Sequence, residues 1–248
     1  MPSLLASLDA LYDAALALVF PHPCGACGAS VEARADAPAC ARCWRETRVF
    51  DGAETLCRKC GGLSLGRVAA EKLADVRCQR CDSQTFTAAR AVGAYEGALR
   101  ASVLALKHEP HVSTRLARLL AEAQRRAPLS AATRVLPVPL HPSRERERGF
   151  NQAAVLARAL SARTGLACDE WSIVRNRHTE GHRAGMDARA RRETVAGAYK
   201  VVRPRLVAGE RVLLVDDVLT TGATASACAS ALFAAGAREV FVLTVARA

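Results

Sequence analysis

Apolar positions along the chain follow two periods, and after residue 85 these divide it into alternating strands and helices. Short apolar runs bounded by polar or turn-forming residues predict strands near 86–95, 134–140, 198–202, 211–216 and 239–245. Apolar residues at helical spacing predict helices near 97–107, 113–127, 151–164 and 223–235. This alternation is typical of an α/β domain with a mainly parallel sheet flanked by helices.

The first 20 residues have the apolar spacing of an amphipathic helix that Pro21 and Pro23 would end. The segment has no Lys or Arg, and Asp9 and Asp13 interrupt its apolar run. We therefore expect neither a signal peptide nor a membrane span, and we expect a cytoplasmic location. The helix is expected to pack on its own protein, and membrane association is the alternative.

Eight of the ten cysteines form four C-x-x-C pairs before residue 85. Each pair sets two sulfurs on one side of a tight turn, so four pairs supply two closed four-thiolate sites for structural zinc ions. Disulfides would need an oxidising compartment, and a redox site would need one such motif rather than four. The simplest arrangement is sequential, and an interleaved cross-brace fits the same spacing. The sequential sets are Cys24, Cys27, Cys40 and Cys43, then Cys57, Cys60, Cys78 and Cys81.

Glycine follows two of the pairs, at Gly28 and Gly61, where its tolerance of positive φ suits the turn. The two remaining cysteines, Cys168 and Cys228, stand alone. We expect each of them to be a small buried hydrophobic residue.

The formal net charge of +11 is concentrated in one part of the chain. Residues 1–85 hold ten basic and ten acidic residues, whereas 86–248 hold 25 basic and 14 acidic. Arginine supplies 31 of the 35 basic residues, and its planar guanidinium suits bidentate recognition of phosphate. The excess favours an anionic partner, either a nucleotide or a nucleic acid. Collagen, coiled coils and disorder are excluded by the lack of repeats, heptads and extreme charge density.

The segment 212–224, VLLVDDVLTTGAT, has the most specific pattern in the chain. Its four leading apolar residues predict a strand buried on both faces, and the Ala-rich run after Gly222 predicts a helix. Asp216 and Asp217 at the strand end can accept hydrogen bonds from ribose hydroxyls. Hydroxyls and backbone N–H groups at the helix N-terminus suit a phosphate dianion. These groups would come from Thr220, Thr221, Gly222, Ala223 and Thr224.

All 13 positions of this segment resemble the phosphoribosyl pyrophosphate signature of type I phosphoribosyltransferases. The resemblance implies that Asp216 and Asp217 hold the ribose hydroxyls and that Thr220 to Thr224 hold the 5-phosphate. A second motif, P-V-P-L-H-P-x-R-x-x-x-R-G-F-N-Q at 137–152, resembles the ComF family. These are phosphoribosyltransferase-like proteins linked with competence and DNA uptake, and an N-terminal zinc ribbon is their other hallmark.

Within that resemblance, the loop that carries Arg144 and Arg148 corresponds to the pyrophosphate-binding loop, where Gly149 permits close backbone approach. By itself, the alternation of arginine with glutamate in this loop is typical of a solvated surface. Lys107 matches the family's Leu-Lys motif and is a further candidate for an anion contact. The arginine-rich segment 175–194 has little apolar periodicity, and the resemblance to type I enzymes implies that it is a mobile basic loop that covers the pyrophosphate and excludes water.

The domain boundary is predicted near residue 85. The two parts are an N-terminal helix with a double zinc ribbon (1–85) and a phosphoribosyltransferase-like domain (86–248). The resemblance implies binding of phosphoribosyl pyrophosphate, or of a ribose 5-phosphate, with magnesium, and a role in DNA uptake and natural transformation. Turnover and the acceptor are left open.

An alternative is a non-catalytic adaptor that binds single-stranded DNA and works with DNA-uptake proteins. It would use the basic face and the zinc ribbons, with Trp44 and Phe50 as candidate stacking residues.

Overall fold

The computed structural model of the protein describes residues 22–64, 76–176 and 197–248. The predicted N-terminal helix lies outside the described residues. So does most of the predicted basic loop, from residue 177 onwards.

The described chain alternates helices and strands after residue 87, as the apolar pattern predicts. The strands are β1 (Ala88–Ala94), β2 (Arg134–Pro137), β3 (Ala167–Cys168), β4 (Ile173–Arg175), β5 (Tyr199–Val201), β6 (Arg211–Leu219) and β7 (Glu239–Arg247). The helices are α1 (Ala41–Glu46), α2 (Gly97–Ala105), α3 (Thr114–Arg125), α4 (Pro142–Arg148), α5 (Gln152–Thr164) and α6 (Ala223–Ala234). Short 3-10 turns occur at Arg34–Asp36, Gln79–Cys81, Leu129–Ala131 and Pro204–Leu206.

Five of these strands form a parallel sheet in the order β1-β7-β6-β2-β3, and β4 and β5 form a separate antiparallel pair. The order places β6 at the centre of the sheet. Its run Val212 to Val215 has no accessible surface, because it is covered on both faces there. This confirms the predicted class, an α/β fold with a mainly parallel sheet flanked by helices. The register places Asp216 of β6 beside Thr244 of β7.

Alternate residues of the central strands point into two different cores. Leu213 and Val215 pack with α2, α3 and α5, whereas Val212 and Leu214 pack with α6 and the β4–β5 pair. The cysteine segments share these cores: three cysteines of the first set join the former cluster, and three of the second set join the latter. The predicted division at residue 85 stays a prediction.

The segment after β2 is a correction to the sequence analysis, since a helix, α4, forms where a loop is predicted. The Nδ1 atom of His141 accepts a hydrogen bond of 3.2 Å from the Ser143 amide, and Pro142 occupies the first turn. Gly149 ends the helix in the left-handed region at φ +85°. The alternating charges are typical of a solvated surface, but the capping residues at both ends favour a helix.

Candidate functional site

The eight paired cysteines form two clusters, each with its four Sγ atoms within 4.8 Å of one another. The first is Cys24, Cys27, Cys40 and Cys43, and the second is Cys57, Cys60, Cys78 and Cys81. We call them the first and second tetrads. This is the sequential arrangement, and the cross-brace alternative is wrong.

The tetrads have the dimensions of a zinc site. The Sγ atoms of Cys27 and Cys40 are 3.8 Å apart, and those of Cys57 and Cys81 are 3.5 Å apart. A tetrahedron with Zn–S bonds of 2.3 Å has edges of about 3.8 Å. Four thiolates at this spacing fit a closed structural zinc ion.

Hydrogen bonds from backbone amides stabilise the thiolate form of one cysteine in each tetrad. The amides of Cys40 and Ala26 donate to Cys24 Sγ at 3.3 and 3.4 Å. Burial alone would raise the pKa of Cys24, but these donors lower that pKa to about 6. The same balance of burial and amide donors, with Cys78 at 3.3 Å, lowers the pKa of Cys57 to about 6. Metal binding requires the thiolate form.

A pocket of about 440 Å³ lies at the carboxyl ends of the parallel strands, where α/β sheets bind ligands. It brings together eight of the predicted site residues: Lys107, Asp216, Asp217, Thr220, Thr221, Gly222, Ala223 and Thr224. Tyr95, Gln152, Arg175, Tyr199 and Thr244 are among its other lining residues. We call it the strand-end pocket.

The loop between β6 and α6 has the geometry of an anion site. Gly222 is the N-terminal cap of α6 at φ +76°, and its carbonyl accepts from the Ser226 amide at 2.8 Å. Ala223 N donates to Thr221 Oγ1 at 3.4 Å. The loop therefore delivers hydroxyls and the partly positive end of a helix to the pocket. We call Thr220–Thr224 the phosphate loop.

The two aspartates form a crowded acidic pair. Asp216 Oδ1 accepts from the Asp217 amide at 2.9 Å, and Asp217 Oδ1 accepts from the Val218 amide at 2.8 Å. Burial, and then the neighbouring Asp217 carboxylate, raise the pKa of Asp216 well above its usual value. Hydrogen bonds from ribose hydroxyls, or a nearby cation, would favour the ionised form of Asp216. The predicted ligand with magnesium would supply both.

Neither of the predicted pyrophosphate-binding arginines lines the pocket. Arg148 Nη1 donates to Gln152 Oε1, and Gln152 lines the pocket. Arg144 is exposed on α4 and does not line the pocket. Gly149 caps α4, and a Cβ there would meet nothing within 4 Å.

Arg175 and Tyr199 also line the pocket. Arg175 is the first residue of the predicted basic loop but ends strand β4, whereas Tyr199 was not predicted as a site residue. The Arg175 guanidinium carbon lies 5.7 Å from the centre of the Tyr199 ring. Burial raises the pKa of Tyr199, so its phenol stays neutral. Both belong to the β4–β5 pair, and nothing in the local pattern shows that this pair faces the pocket.

Gln84 and Arg247 hold the phosphate loop from its other side, and sequence reasoning missed them too. Gln84 Nε2 donates to the Thr221 carbonyl at 2.6 Å. Arg247 Nη1 donates to the Leu219 carbonyl at 2.7 Å and to the Thr220 carbonyl. A second cavity, of about 570 Å³, lies between this side of the loop and the second tetrad.

The two lone cysteines carry protonated thiols. Cys228 is fully buried, and burial followed by the nearby Asp216 charge raises the pKa of its thiol. Cys168 is half-buried rather than buried, and burial raises its pKa to about 11. Neither has the lowered pKa of a reactive cysteine.

The parallel α/β sheet, its strand-end phosphate loop and the N-terminal cysteine tetrads define a phosphoribosyltransferase-like protein. The chain belongs to the ComF family. It is 30% identical over 216 residues to the DNA utilization protein YhgH of Escherichia coli O157:H7, and the match covers 84% of this chain and 89% of the relative.

Shorter matches are also found. Competence protein F of Haemophilus influenzae is 36% identical over 138 residues, which cover 54% of this chain and 60% of the relative. DNA utilization protein YhgH of Salmonella typhimurium is 35% identical over 140 residues, or 55% of this chain. The match spans 60% of that relative's length. No family model matches the chain.

Solved structures also match parts of the chain. One is the glutamine phosphoribosylpyrophosphate amidotransferase from B. subtilis complexed with ADP and GMP, at 23% identity and a TM-score of 0.35, covering 52% of this chain and 25% of that one. Another is the hypoxanthine-guanine phosphoribosyl transferase of L. donovani, at 18% identity and a TM-score of 0.31, covering 58% and 71%. Among the described helices, none has both the length and the apolar character needed to cross a bilayer.

Proposed function

We propose that the chain binds phosphoribosyl pyrophosphate, or a related ribose 5-phosphate, with magnesium in the strand-end pocket. The observation that carries the proposal is that Asp216, Asp217 and the phosphate loop line one pocket together with Lys107. The relatives' names, DNA utilization protein and Competence protein, support the further proposal that the chain serves DNA uptake in natural transformation.

Each part of the ligand has a chemical counterpart in the pocket. The phosphate loop would bind the 5-phosphate through hydroxyls and N–H groups, and the aspartate pair would accept hydrogen bonds from the ribose. Asp216 and Asp217 would hold magnesium, which would neutralise part of the negative charge of the pyrophosphate. The carboxylates are the hard oxygen donors that this ion prefers.

If transfer occurs, the protein's contribution is electrostatic. Negative charge grows on the departing pyrophosphate, where Arg148 and Arg144 would stabilise it. Positive charge grows at the anomeric carbon, where Asp216 and Asp217 would favour it. A role in transfer requires both arginine side chains to turn towards the pocket from their positions on α4 and at its end.

Calorimetry with phosphoribosyl pyrophosphate and magnesium tests the site. We expect the wild type to bind and Asp216→Asn/Asp217→Asn to lose at least about tenfold in affinity, equivalent to about 1.4 kcal/mol. Glu122→Gln, which removes an exposed carboxylate on α3, is the control and should bind as the wild type does. A wild type that does not bind overturns the site, and pyrophosphate release across a panel of nucleobases would establish turnover.

Binding of single-stranded DNA is a second candidate function, and one exposed aromatic residue favours it. Trp171 is 67% exposed, whereas the predicted stacking residues Trp44 and Phe50 are 2% and 3% exposed, so their prediction is wrong. The Val202 amide donates to the Ser172 carbonyl at 2.8 Å, which places the exposed Arg203 across from Trp171. An exposed indole, with an exposed arginine on the neighbouring segment, offers a surface on which a base can stack.

Fluorescence distinguishes this surface because the chain has two tryptophans and Trp44 is buried. Oligothymidine should quench Trp171, and Trp171→Ala should weaken binding by about 1–3 kcal/mol. Affinity should also fall as salt rises, because phosphate contacts release counterions. Binding that is independent of salt would contradict the proposal.

A further inference from the structure

The phosphate loop is attached to the second tetrad through Gln84, which stands three residues after Cys81. The Gln84 amide donates to the Cys81 carbonyl at 3.1 Å, and its side chain is buried, with 6% exposure. Its Nε2 donates to the Thr221 carbonyl at 2.6 Å, while its Oε1 accepts from Ser226 Oγ of α6. A single side chain thus connects the tetrad segment, the loop and the helix.

The Gln84 side chain packs directly against the backbone of the phosphate loop. A Cβ atom on Gly222 would lie 2.6 Å from Gln84 Oε1. The next residue continues the attachment, because the Thr85 amide donates to Ser226 Oγ at 3.2 Å. A shift of the tetrad segment must therefore move the loop as well.

Arg247 is a second connection, from the end of β7. Its Nη1 donates to the carbonyls of Leu219 and Thr220. A Cβ on Gly62 would lie 3.4 Å from Cys60 Sγ and 3.9 Å from Arg247 Nη2, so the guanidinium sits beside the tetrad. Four thiolates around one Zn²⁺ carry a net charge of about −2, which attracts this cation.

These contacts orient the loop's N–H groups. In a trans peptide the carbonyl of one residue and the N–H of the next point in opposite directions. Gln84 and Arg247 hold the carbonyls of Leu219, Thr220 and Thr221, so the following three N–H groups point to the opposite side of the loop. That is the side of the strand-end pocket.

We propose that Gln84 and Arg247 are positioning residues that couple zinc in the second tetrad to anion binding in the phosphate loop. This inference rests on the proposed phosphoribosyl site. Coupling is reciprocal, so a ligand in the pocket must raise the zinc affinity of the second tetrad by the factor by which zinc strengthens ligand binding. The first tetrad packs on the other face of the sheet, with Leu99 and Leu116, and is an internal control.

The wild-type chain tests the coupling without any cysteine substitution. The protein is held in a zinc–chelator buffer with iodoacetamide dilute enough that zinc exchange is faster than alkylation. The alkylation rate at each tetrad, followed by mass spectrometry, then reports the equilibrium fraction of that tetrad without zinc. Phosphoribosyl pyrophosphate with magnesium should slow alkylation of the second tetrad at least about fivefold and leave the first unchanged. Equal protection of both tetrads, or of neither when calorimetry shows binding, overturns the coupling.

Gln84→Leu separates this inference from the proposed function. Without ligand, this variant should speed alkylation of the second tetrad relative to the first at least about threefold, the change expected when one hydrogen bond is lost. Gln124→Leu is the matched control, since Gln124 is also buried and its side chain donates to a carbonyl, that of Leu129 at 3.3 Å, which belongs to neither tetrad segment. If the wild type fails to bind the ligand, the proposed function falls. The ligand-free experiment then tests whether Gln84 attaches the phosphate loop to the second tetrad. An unchanged alkylation rate in Gln84→Leu overturns that attachment.

Discussion

A Cβ atom on Gly61 would lie 2.6 Å from the carbonyl oxygen of Ala89, the second residue of β1. Gly61 closes the first knuckle of the second tetrad, where its amide donates to the Cys57 carbonyl at 2.9 Å and its φ is +65°. The metal-site turn and the edge strand of the sheet are therefore in direct backbone contact. Only glycine satisfies both the dihedral angle and the space.

We predict that Gly61→Ala lowers the free energy of unfolding by more than about 2 kcal/mol, because backbone strain and a backbone clash act together. Gly28→Ala is the matched control: Gly28 has φ +77° at the corresponding position of the first tetrad, but nothing lies within 4 Å of its Cβ position. It should cost about 1–2 kcal/mol, from strain alone. Urea denaturation of the zinc-loaded variants measures both, and equal losses would contradict the contact.

We predict that Asp216→Asn stabilises the ligand-free fold at neutral pH. Burial raises the folded-state pKa of Asp216 above its ordinary value of 3.8, so over the pH range between these values the folded state holds a proton that the unfolded state releases. Rising pH therefore destabilises the wild type across that range, by up to about 1.4 kcal/mol per pH unit. Asparagine removes this dependence.

The measurement is the difference in the free energy of unfolding between the two proteins from pH 5 to pH 8. Both proteins have the same zinc sites, so the pH dependence of those sites cancels in the difference. The advantage of the variant should grow with pH and then level off. Glu122→Gln removes an exposed carboxylate and controls for net charge. An advantage that shrinks as pH rises would refute the buried-charge argument, even if ligand binding is lost as expected.

Paired substitutions of cysteines test how the ligands are divided. Cys27→Ala/Cys40→Ala removes two ligands from the first tetrad, so the chain should retain one zinc ion of two. Cys27→Ala/Cys57→Ala removes one ligand from each tetrad and should weaken both sites. Zinc content by atomic spectroscopy, with dialysis against chelator, separates these outcomes; one retained ion in the second variant would indicate a cross-brace.

The placement of the arginines predicts unequal effects on ligand affinity. Arg148 contacts Gln152, a lining residue, whereas Arg144 is exposed. Arg148→Ala should weaken the binding of phosphoribosyl pyrophosphate by about 1.5–3 kcal/mol, the range for hydrogen bonds to charged groups, and Arg144→Ala by less. Ribose 5-phosphate lacks the pyrophosphate, so calorimetry with it should show little change in either variant. Equal losses for both ligands would assign Arg148 a structural role instead.

Local pattern was sufficient for most of the elements after residue 85 and for much of the site, although the short strands β3 and β4 were not predicted. The apolar run Val212 to Val215 predicts a strand covered on both faces, and all four side chains are fully buried. The residues of the phosphate loop come from one continuous segment, so their proximity follows from chain connectivity. Helix α4 was not predicted, because its alternating charges lack an apolar helical period; its formation depends on the caps at His141 and Gly149.

The sequence by itself determined the α/β class, the four cysteine knuckles and the strand-loop-helix unit that carries Asp216, Asp217 and the phosphate loop. Each depends on residues within a few positions of one another, where local geometry dominates. The tertiary structure decided which knuckles share a tetrad, which arginine approaches the pocket and what holds the loop. Gln84 and Thr221 are 137 positions apart, and their hydrogen bond exists because the second tetrad and α6 pack on the same face of the sheet. No local period encodes such a contact.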